Sequence, residues 1–250
     1  MYRQLKSVVK FLLPDRFIAS NEVVFRRIYA LIYKGSLYKC NLCDTGLRLF
    51  INDDRGGKLC PKCGSISRNR RLWNVLKSDF ITTDSKILHF SPSRALNRKL
   101  SNISNIDYVT SDFVGEFQAD KNLDITAIEE ADNCYNTIIC YHILEHITED
   151  HTAISELYRI LKPGGTCILQ TPFKDGDIYE DPKIVTPEDR SLHFGQDDHV
   201  RVYSVEGLQN RLEQKGFQVS CLKFENDKKN KYGLATPEYI LLAKKPIKEA

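Results

Sequence analysis

Short apolar runs alternate with helical patterns along the chain from residue 86 onward. The runs that predict strands are residues 86–90, 108–110, 137–140, 166–171, 217–224 and 239–243. Strands that alternate with helices are typical of a βαβ sheet. The pattern therefore predicts an α/β domain in this part of the chain.

Two helices in this region have clear ends. Residues 148–162 repeat apolar positions at helical spacing, and Pro163 followed by two glycines ends the pattern. A later helix is predicted to begin after Ser204, a favoured N-cap residue, and to end at Gly216 in the C′ position. The hydrophobic spacing and the terminating residues thus agree for both elements.

Residues 1–38 read as one or two amphipathic helices broken near Pro14. Residues 1–35 carry seven Lys/Arg and two acidic side chains. One interpretation is a helix packed on the main domain, and the alternative is a basic helix lying on a membrane surface. The apolar stripe consists of Val8, Val9, Phe11, Leu12, Val23, Val24, Ile28, Leu31 and Ile32.

Composition limits the class of protein. A chain of 250 residues with 42% hydrophobic content can bury one α/β core plus a small appendage, and a formal charge of +3 does not require a nucleic-acid partner. The apolar runs are far shorter than the roughly 20 residues that cross a bilayer, and no signal-peptide pattern is present. We therefore expect a cytoplasmic protein.

Four of the eight cysteines form two CxxC pairs, and their spacing predicts a zinc site. Cys40 pairs with Cys43, and Cys60 with Cys63, with sixteen residues between the pairs. Two such turns can close a tetrahedron around Zn²⁺, and four protein ligands leave no open position, so the metal is expected to be structural. Gly64 suits the positive φ angle that such a turn often needs. Unrelated buried cysteines are the alternative.

A basic cluster follows the second cysteine pair. Arg68, Arg70 and Arg71 lie within four residues of one another. One interpretation is a solvated first helical turn, and the other is capture of an anionic part of a substrate.

The end of the first strand carries the first candidate cofactor residues. Residues 86–94 lie where a strand should turn into its helix, and Asp112 follows His89 by twenty-three residues. In a dinucleotide-type fold an acid at the tip of the second strand accepts the ribose hydroxyls, although a surface aspartate is the alternative. Asp124 lies where a carboxylate could accept from an adenine amino group. The candidate cofactor-binding residues are His89, Phe90, Ser91, Ser93, Asp112, Asp124, Tyr141 and His142.

Three segments in the second half of the chain carry a family resemblance. They are residues 136–146 (NTIICYHILEH), 156–165 (ELYRILKPGG) and 167–172 (CILQTP). They resemble the class I S-adenosylmethionine-dependent methyltransferases over about residues 86–245, and more narrowly a subgroup with a four-cysteine knuckle and an FGQxDHVR segment. The resemblance implies S-adenosylmethionine as cofactor. It also implies a Rossmann-like seven-stranded sheet that ends in a C-terminal antiparallel hairpin, with N-terminal helices and a small zinc-ribbon-like insert.

One loop departs from that family's pattern. The family has acid-x-Gly-x-Gly after its first strand, and His89, Ser91 and Ser93 occupy those positions here. Glycine lets the backbone approach the cofactor without a Cβ clash, whereas serine offers a hydroxyl to the methionine carboxylate. The departure leaves open a chain that keeps the fold without the chemistry.

The acceptor side is predicted to lie after the strand at residues 166–171. About thirty residues there are rich in Asp, Glu, His and Arg, and loops of such length are usually functional. We expect His199 to take the acceptor's proton, with Asp198 orienting its imidazole and His193 as a further candidate. Arg201 could pair with an acid of the substrate, or with Glu180 or Asp181. A purely structural network is the alternative.

Three functions compete for the whole chain, divided into residues 1–38, a zinc knuckle at 39–67 and a methyltransferase domain at 68–250. The first is a methyltransferase with a small-molecule or sugar acceptor, favoured by the near-neutral catalytic domain. The second is an RNA or protein methyltransferase in which the knuckle and Arg68, Arg70 and Arg71 grip the polymer. The third is a non-catalytic binding module.

Overall fold

The structure is a computed structural model that describes residues 17, 21–52, 57–115, 119–225 and 229–247. The chain forms two compact units. The first comprises Met1–Asp79, Ser93–Asn102 and Asn226–Thr236, and the second comprises Phe80–Pro92, Ile103–Glu225 and Pro237–Ala250. The division of the chain at residues 38 and 67 stays a prediction.

The first unit contains two small antiparallel hairpins. β1 (Lys34–Lys39) pairs with β2 (Gly46–Leu47), and β3 (Ile51–Asn52) pairs with β4 (Lys58–Leu59). The Cys40–Cys43 turn connects β1 to β2, and the Cys60–Cys63 turn directly follows β4. Each cysteine pair is therefore held on a tight turn beside a short strand.

The described part of the first unit also has three helices, which are α1 (Glu22–Ala30), α2 (Ser67–Asp79) and α3 (Arg94–Leu100). A 3₁₀ turn at Leu31–Tyr33 follows α1. The predicted apolar stripe does not pack inward, since Ile28 and Leu31 are 62% and 70% exposed, while Tyr29 and Tyr33 are buried and share a hydroxyl hydrogen bond. The part of the stripe at residues 8–12, and the break at Pro14, lie outside the described residues.

The second unit is built on a six-stranded sheet. Its strands are β5 (Ser85–Phe90), β6 (Ile106–Ser111), β7 (Tyr135–Tyr141), β8 (Leu161–Gln170), β11 (Gln218–Phe224) and β12 (Glu238–Lys244). The order across the sheet is β11-β12-β8-β7-β5-β6. β6, β5, β7 and β8 run parallel, whereas β12 is antiparallel to both β8 and β11. The predicted strands and the C-terminal hairpin are confirmed.

The expected seventh strand is absent from the described part of the sheet. Beside β6 the chain makes a single parallel bridge between Ser111 and Lys121. Side chains occupy the neighbouring positions, because Asp120 accepts the backbone N–H of Thr110 at 2.9 Å and the Ser111 hydroxyl accepts the N–H of Leu123 at 3.0 Å. Backbone bonds also join Lys121 to Thr110 and Asp112, without a continuous ladder, so the described part of the sheet has six strands where seven were predicted.

The apolar core of the second unit lies between the sheet and its helices. α4 (Asp150–Ile160) buries Ile154 and Leu157, and α6 (Val205–Gln214) buries Leu208 and Leu212. The hydroxyl of Ser204 caps α6 by accepting the N–H of Gly207. Both helices lie within the limits that the hydrophobic spacing predicts.

An insertion follows β8. Its base is the antiparallel pair β9 (Tyr179–Glu180) and β10 (Arg201–Val202), and it contains α5 (Pro187–Phe194). This short antiparallel strand pair holds the two ends of the insertion next to each other. Among the residues described, no helix combines the length and apolarity that a membrane-spanning segment requires.

Candidate functional site

The four predicted zinc ligands lie together. Their sulfur atoms are all within 4.8 Å of one another, with Cys40 and Cys63 at 3.7 Å and Cys43 and Cys60 at 3.8 Å. Four sulfurs at about 2.3 Å from a tetrahedral Zn²⁺ are about 3.8 Å apart, whereas bonded sulfurs lie at about 2.05 Å. The separations therefore fit a metal site and not a pair of disulfides.

The backbone of each knuckle wraps toward the sulfurs. The N–H of Cys40 donates to the carbonyl of Thr45, and that of Cys60 donates to Ser65, both at 2.9 Å. Gly64 has φ +76°, which explains why glycine follows the second pair. Hydrogen bonds from the other thiols hold the pKa of Cys40 below its usual range.

Arg70 lies beside this cluster with none of its surface exposed. Its guanidinium donates to four backbone carbonyls, those of Ser65, Lys58, Tyr232 and Gly233, at 2.5 to 2.9 Å. Burial lowers the pKa of Arg70 and the four cysteines oppose that effect. Within the described part of the chain, none of the partners of Arg70 is a carboxylate, so a net negative metal–thiolate centre would balance its charge.

This placement corrects the interpretation of the arginine cluster as a solvated turn. Arg71 is also buried, at 9% exposure, and one of its guanidinium nitrogens donates to the carbonyl of Ala235. Arg70 and Arg71 therefore hold the first unit together, and Arg68 is the one partly exposed arginine of the cluster.

In the second unit, Ser91, Asp112 and His142 directly follow the carboxyl ends of the adjacent strands β5, β6 and β7. The Ser91 hydroxyl donates to Oδ1 of buried Asp112 at 2.7 Å. Ser91 has φ +44° and His142 has φ +56°. Two residues in this strained region at the ligand-binding edge of a parallel sheet are typical of a functional site.

His89 and Phe90 are buried on opposite faces of β5. His89 is 2% exposed, its Nδ1 lies 2.9 Å from the hydroxyl of Tyr108, and burial lowers its pKa to about 3. Phe90 packs in the apolar core. These two residues therefore shape β5 and present no side chain at its carboxyl end.

The other predicted cofactor residues have mixed surroundings. Asp124 accepts the N–H and the hydroxyl of Thr126, which lowers its pKa. Ser93, in the first unit, immediately precedes α3, and its hydroxyl is buried without a hydrogen-bond partner among the described residues. Tyr141 is buried at the end of β7.

Unpartnered polar atoms also collect at the end of β8. The side-chain oxygens of Gln170 and Thr171 are buried and have no hydrogen-bond partner among the described residues. Buried polar groups are normally satisfied, so such a pair indicates that a ligand or ordered water belongs at this edge.

The acceptor-side prediction brings His199 to the residues after β7. The imidazole rings of His199 and His146 meet edge to face with centroids 4.6 Å apart, and the N–H of Val200 donates to the carbonyl of Glu145 at 2.9 Å. Burial lowers the pKa of His199, and the neighbouring His146 adds to the effect. Asp198 lies 3.1 Å from Nδ1 of His146, so its carboxylate orients that ring and not the ring of His199 as expected.

His193 and Arg201 lie elsewhere in the insertion. His193 is exposed on α5, with Nδ1 2.6 Å from the hydroxyl of Tyr179. Arg201 is buried and pairs with Glu180 at 2.8 Å. Arg211 pairs with Asp150 and with Glu180. This network supports the prediction that Arg201 pairs within the insertion.

Glu145 and His146 were not among the predicted site residues. They lie in the LEH segment that forms a 3₁₀ turn, Leu144–His146, just beyond β7. The sequence did carry a signal for them, because an acid and a histidine stand next to each other just after a predicted parallel strand. Their meeting with His199, more than fifty positions later, depends on the fold of the insertion.

Residues 72–222 match the family model described as "Methyltransferase domain". The match covers more than half of the chain, and the chain belongs to that family. No curated protein matches the chain in sequence.

Solved structures with a similar fold are distant in sequence. The [4+2]-cyclase SpnF is 14% identical with a TM-score of 0.54, over 92% of this chain and 96% of that one. A putative methyltransferase of Haloferax volcanii, in complex with the Trm112 activator, is 12% identical with a TM-score of 0.51, over 70% and 88%. Phosphoethanolamine N-methyltransferase 2 of Haemonchus contortus, with S-adenosylhomocysteine, is 14% identical with a TM-score of 0.50, over 71% and 52%.

The chain spans about half the length of two of the solved structures that it matches, 52% of the Haemonchus enzyme and 53% of another methyltransferase. At these identities the likeness shows the fold alone. Together the comparisons define a class I methyltransferase fold.

Proposed function

We propose that this protein is an S-adenosylmethionine-dependent methyltransferase with a small-molecule or sugar acceptor. The observation that carries the proposal is the hydrogen bond from Ser91 to buried Asp112, at the carboxyl ends of β5 and β6. A carboxylate held there can accept the two ribose hydroxyls of the cofactor. Buried Thr171 offers a further polar group at the same edge.

S-adenosylmethionine supplies an activated methyl group: the acceptor atom forms the new bond as the carbon–sulfur bond breaks, and the acceptor loses a proton. The protein's part is to align the acceptor with the departing sulfur. We assign the ribose to Asp112, the methionine carboxylate to Ser91, and the adenine amino group to Asp124. Tyr141 and His142 lie at the carboxyl end of β7.

The insertion forms the acceptor side in this proposal. His199 is the group needed for removal of the acceptor's proton, with Asp198 acting on it through His146, and exposed His193 on α5 is a further candidate. His199→Ala should lower turnover by about a hundredfold with little change in S-adenosylmethionine affinity. Normal turnover, or early melting of the variant, would assign His199 to the scaffold.

The four cysteines are proposed to hold a structural Zn²⁺. The sulfur separations support this, and so does the buried positive charge of Arg70. Thiolate ligands require reducing conditions, which favours a cytoplasmic location. Because Arg70 and Arg71 are buried and only Arg68 is partly exposed, the arginine cluster offers little surface to grip RNA, and the small-molecule acceptor is favoured over a polymer.

A labelling experiment tests the proposal. Purified protein incubated with methyl-tritiated S-adenosylmethionine and a cell extract should transfer label into the low-molecular-mass fraction, and heat-denatured protein should not. Transfer into RNA or protein would contradict the assigned acceptor. A protein that does not bind S-adenosylmethionine would contradict the function itself.

A further inference from the structure

We propose that Glu145, His146 and His199 form a second metal site, which binds a divalent first-row transition-metal cation. One possible ligand atom from each of the three lies within 4.8 Å of those of the other two. Tetrahedral ligands at about 2.1 Å from a metal lie about 3.4 Å apart. The group therefore has to contract by at most about an ångström and a half, which a small joint movement of the partly exposed His146 and its exposed partner Asp198 provides.

The carboxylate of Glu145 is buried and has an oxygen that could bind a cation. The residue is 1% exposed, and Nδ1 of His142 lies 3.0 Å from its Oε1. Oε2 is buried and has no hydrogen-bond donor within the described part of the chain. An ionised carboxylate in such a place is costly unless positive groups meet it; His142 faces Oε1, and a metal ion would meet Oε2.

Both histidines have one ring nitrogen anchored. Nδ1 of His146 lies 3.1 Å from the carboxylate of Asp198, and Nδ1 of His199 lies 3.2 Å from the carbonyl of Phe194. A ring that donates through Nδ1 carries its lone pair on Nε2. Metal-binding histidines almost always have this partner on the other nitrogen, because it fixes the tautomer and the ring orientation.

The one contact at Nε2 of His199 is compatible with this role. The amide nitrogen of Gln196 lies 2.7 Å away, and an N–H of that amide donates to an unprotonated Nε2. The contact thus marks Nε2 as the acceptor nitrogen. Gln196 is only partly buried, so its side chain can turn toward solvent when a cation takes its place.

Two histidines and one carboxylate are the ligand set of catalytic zinc sites and of non-haem iron sites, which keep open positions for substrate. The role of this metal in methyl transfer rests on the proposed function. A cation here would bind an acceptor hydroxyl and lower its pKa. His199 would then be a metal ligand, and it would promote loss of the acceptor's proton through the metal that it holds. The acceptor class becomes one with an oxygen that can bind the metal, such as a sugar hydroxyl.

Cobalt provides a direct test on the zinc-loaded protein without S-adenosylmethionine. Titration with Co²⁺, followed by calorimetry and visible absorption, should show one added ion without the intense thiolate-to-cobalt bands of a cysteine site. Glu145→Gln and His146→Gln should each raise the dissociation constant at least about tenfold. His151→Gln, on the exposed face of α4, is the matched control and should bind cobalt as the wild type does.

Three outcomes would overturn the inference: no bound cobalt beyond the four-cysteine site, thiolate bands alone, or unchanged affinity in both variants. The half-exposed His146 keeps the test informative if Glu145→Gln fails to fold, as circular dichroism would reveal. Calorimetry with S-adenosylmethionine alone separates the two proposals. Cobalt uptake without cofactor binding would leave the metal site standing and remove the methyltransferase function.

Discussion

At the scale of single residues, Ser91 combines a strained backbone with a hydrogen bond at the proposed cofactor site. It has φ +44°, where a side chain costs about 1 kcal/mol or more, and its hydroxyl donates to Asp112. The family's glycine at this position would carry no such strain. The serine therefore adds backbone strain, and its hydrogen bond fixes the position of the Asp112 carboxylate.

Two substitutions separate these effects. Ser91→Ala keeps the Cβ and loses the hydrogen bond, whereas Ser91→Gly loses both. We expect the glycine variant to be more stable than the alanine variant by about 0.5 to 1 kcal/mol, after the extra entropy of glycine in the unfolded chain is included. Urea unfolding of the two variants measures the difference, and an alanine variant as stable as the glycine variant would mean that Ser91 is not strained.

His89 makes the stability of the protein depend on pH. Burial lowers its pKa to about 3, whereas the unfolded chain has the ordinary value of about 6.5. Between these values the unfolded state binds the extra proton, so stability is full above about pH 6.5 and falls as the pH drops below it. The loss at pH 5 should be about 2 kcal/mol.

His89→Asn should remove this part of the pH dependence, because an amide does not titrate and can still reach the hydroxyl of Tyr108. Free energies of unfolding at pH 8 and pH 5, compared between wild type and variant, isolate the effect from the other histidines. An equal loss in both proteins would show that His89 is protonated in the folded state.

The sequence could point to Asp112 and the four cysteines because spacing and motif carry that information. It could not reveal that Asp198 orients His146, or that Arg70 is buried, because both depend on contacts across long stretches of chain. Arginine clusters are usually solvated, but the Arg70 guanidinium is buried because four backbone carbonyls accept its hydrogen bonds.

At the scale of elements, the two knuckles are small hairpins whose strands are two to six residues long. So few residues cannot bury much apolar surface, and metal binding would supply folding free energy for the segment. The hairpins and the proposed zinc ion are therefore expected to be lost together.

Elemental analysis should find one tightly held zinc per chain. Cys60→Ser should lose it, while Cys221→Ser, at the exposed cysteine of β11, should retain it. Chelation should increase hydrogen exchange at residues 39–67 first. Well under one equivalent in the wild type, or full retention after Cys60→Ser, would contradict the zinc site.

The strands β5, β7, β8 and β12 were predictable because each contains a buried apolar run, whereas β6 and β11 are more exposed and showed only short apolar segments. The seventh strand was inferred from the family resemblance, and among the described residues the edge of β6 instead has the bridge to Lys121 and the side-chain bonds of Asp120 and Ser111. Local hydrogen bonding by such side chains competes with a strand ladder. This competition is hard to see in a linear sequence.

At the scale of the whole molecule, the family is established and the reaction is proposed. A fold hosts many activities, and one structural neighbour of this chain is described as a [4+2]-cyclase. The residues at the carboxyl ends of the parallel strands therefore decide the function. Cofactor binding at Asp112 is the claim on which the rest of the account depends.

Calorimetry of S-adenosylmethionine binding to Asp112→Asn tests that claim most directly. Bonds from ribose hydroxyls to a carboxylate contribute about 1.5 to 3 kcal/mol each, so loss of one such bond should raise the dissociation constant about tenfold to a hundredfold. Asp107→Asn, at the exposed start of the same strand, should bind as the wild type does. Equal affinity of the Asp112 variant and the wild type, with the fold intact, would contradict the account.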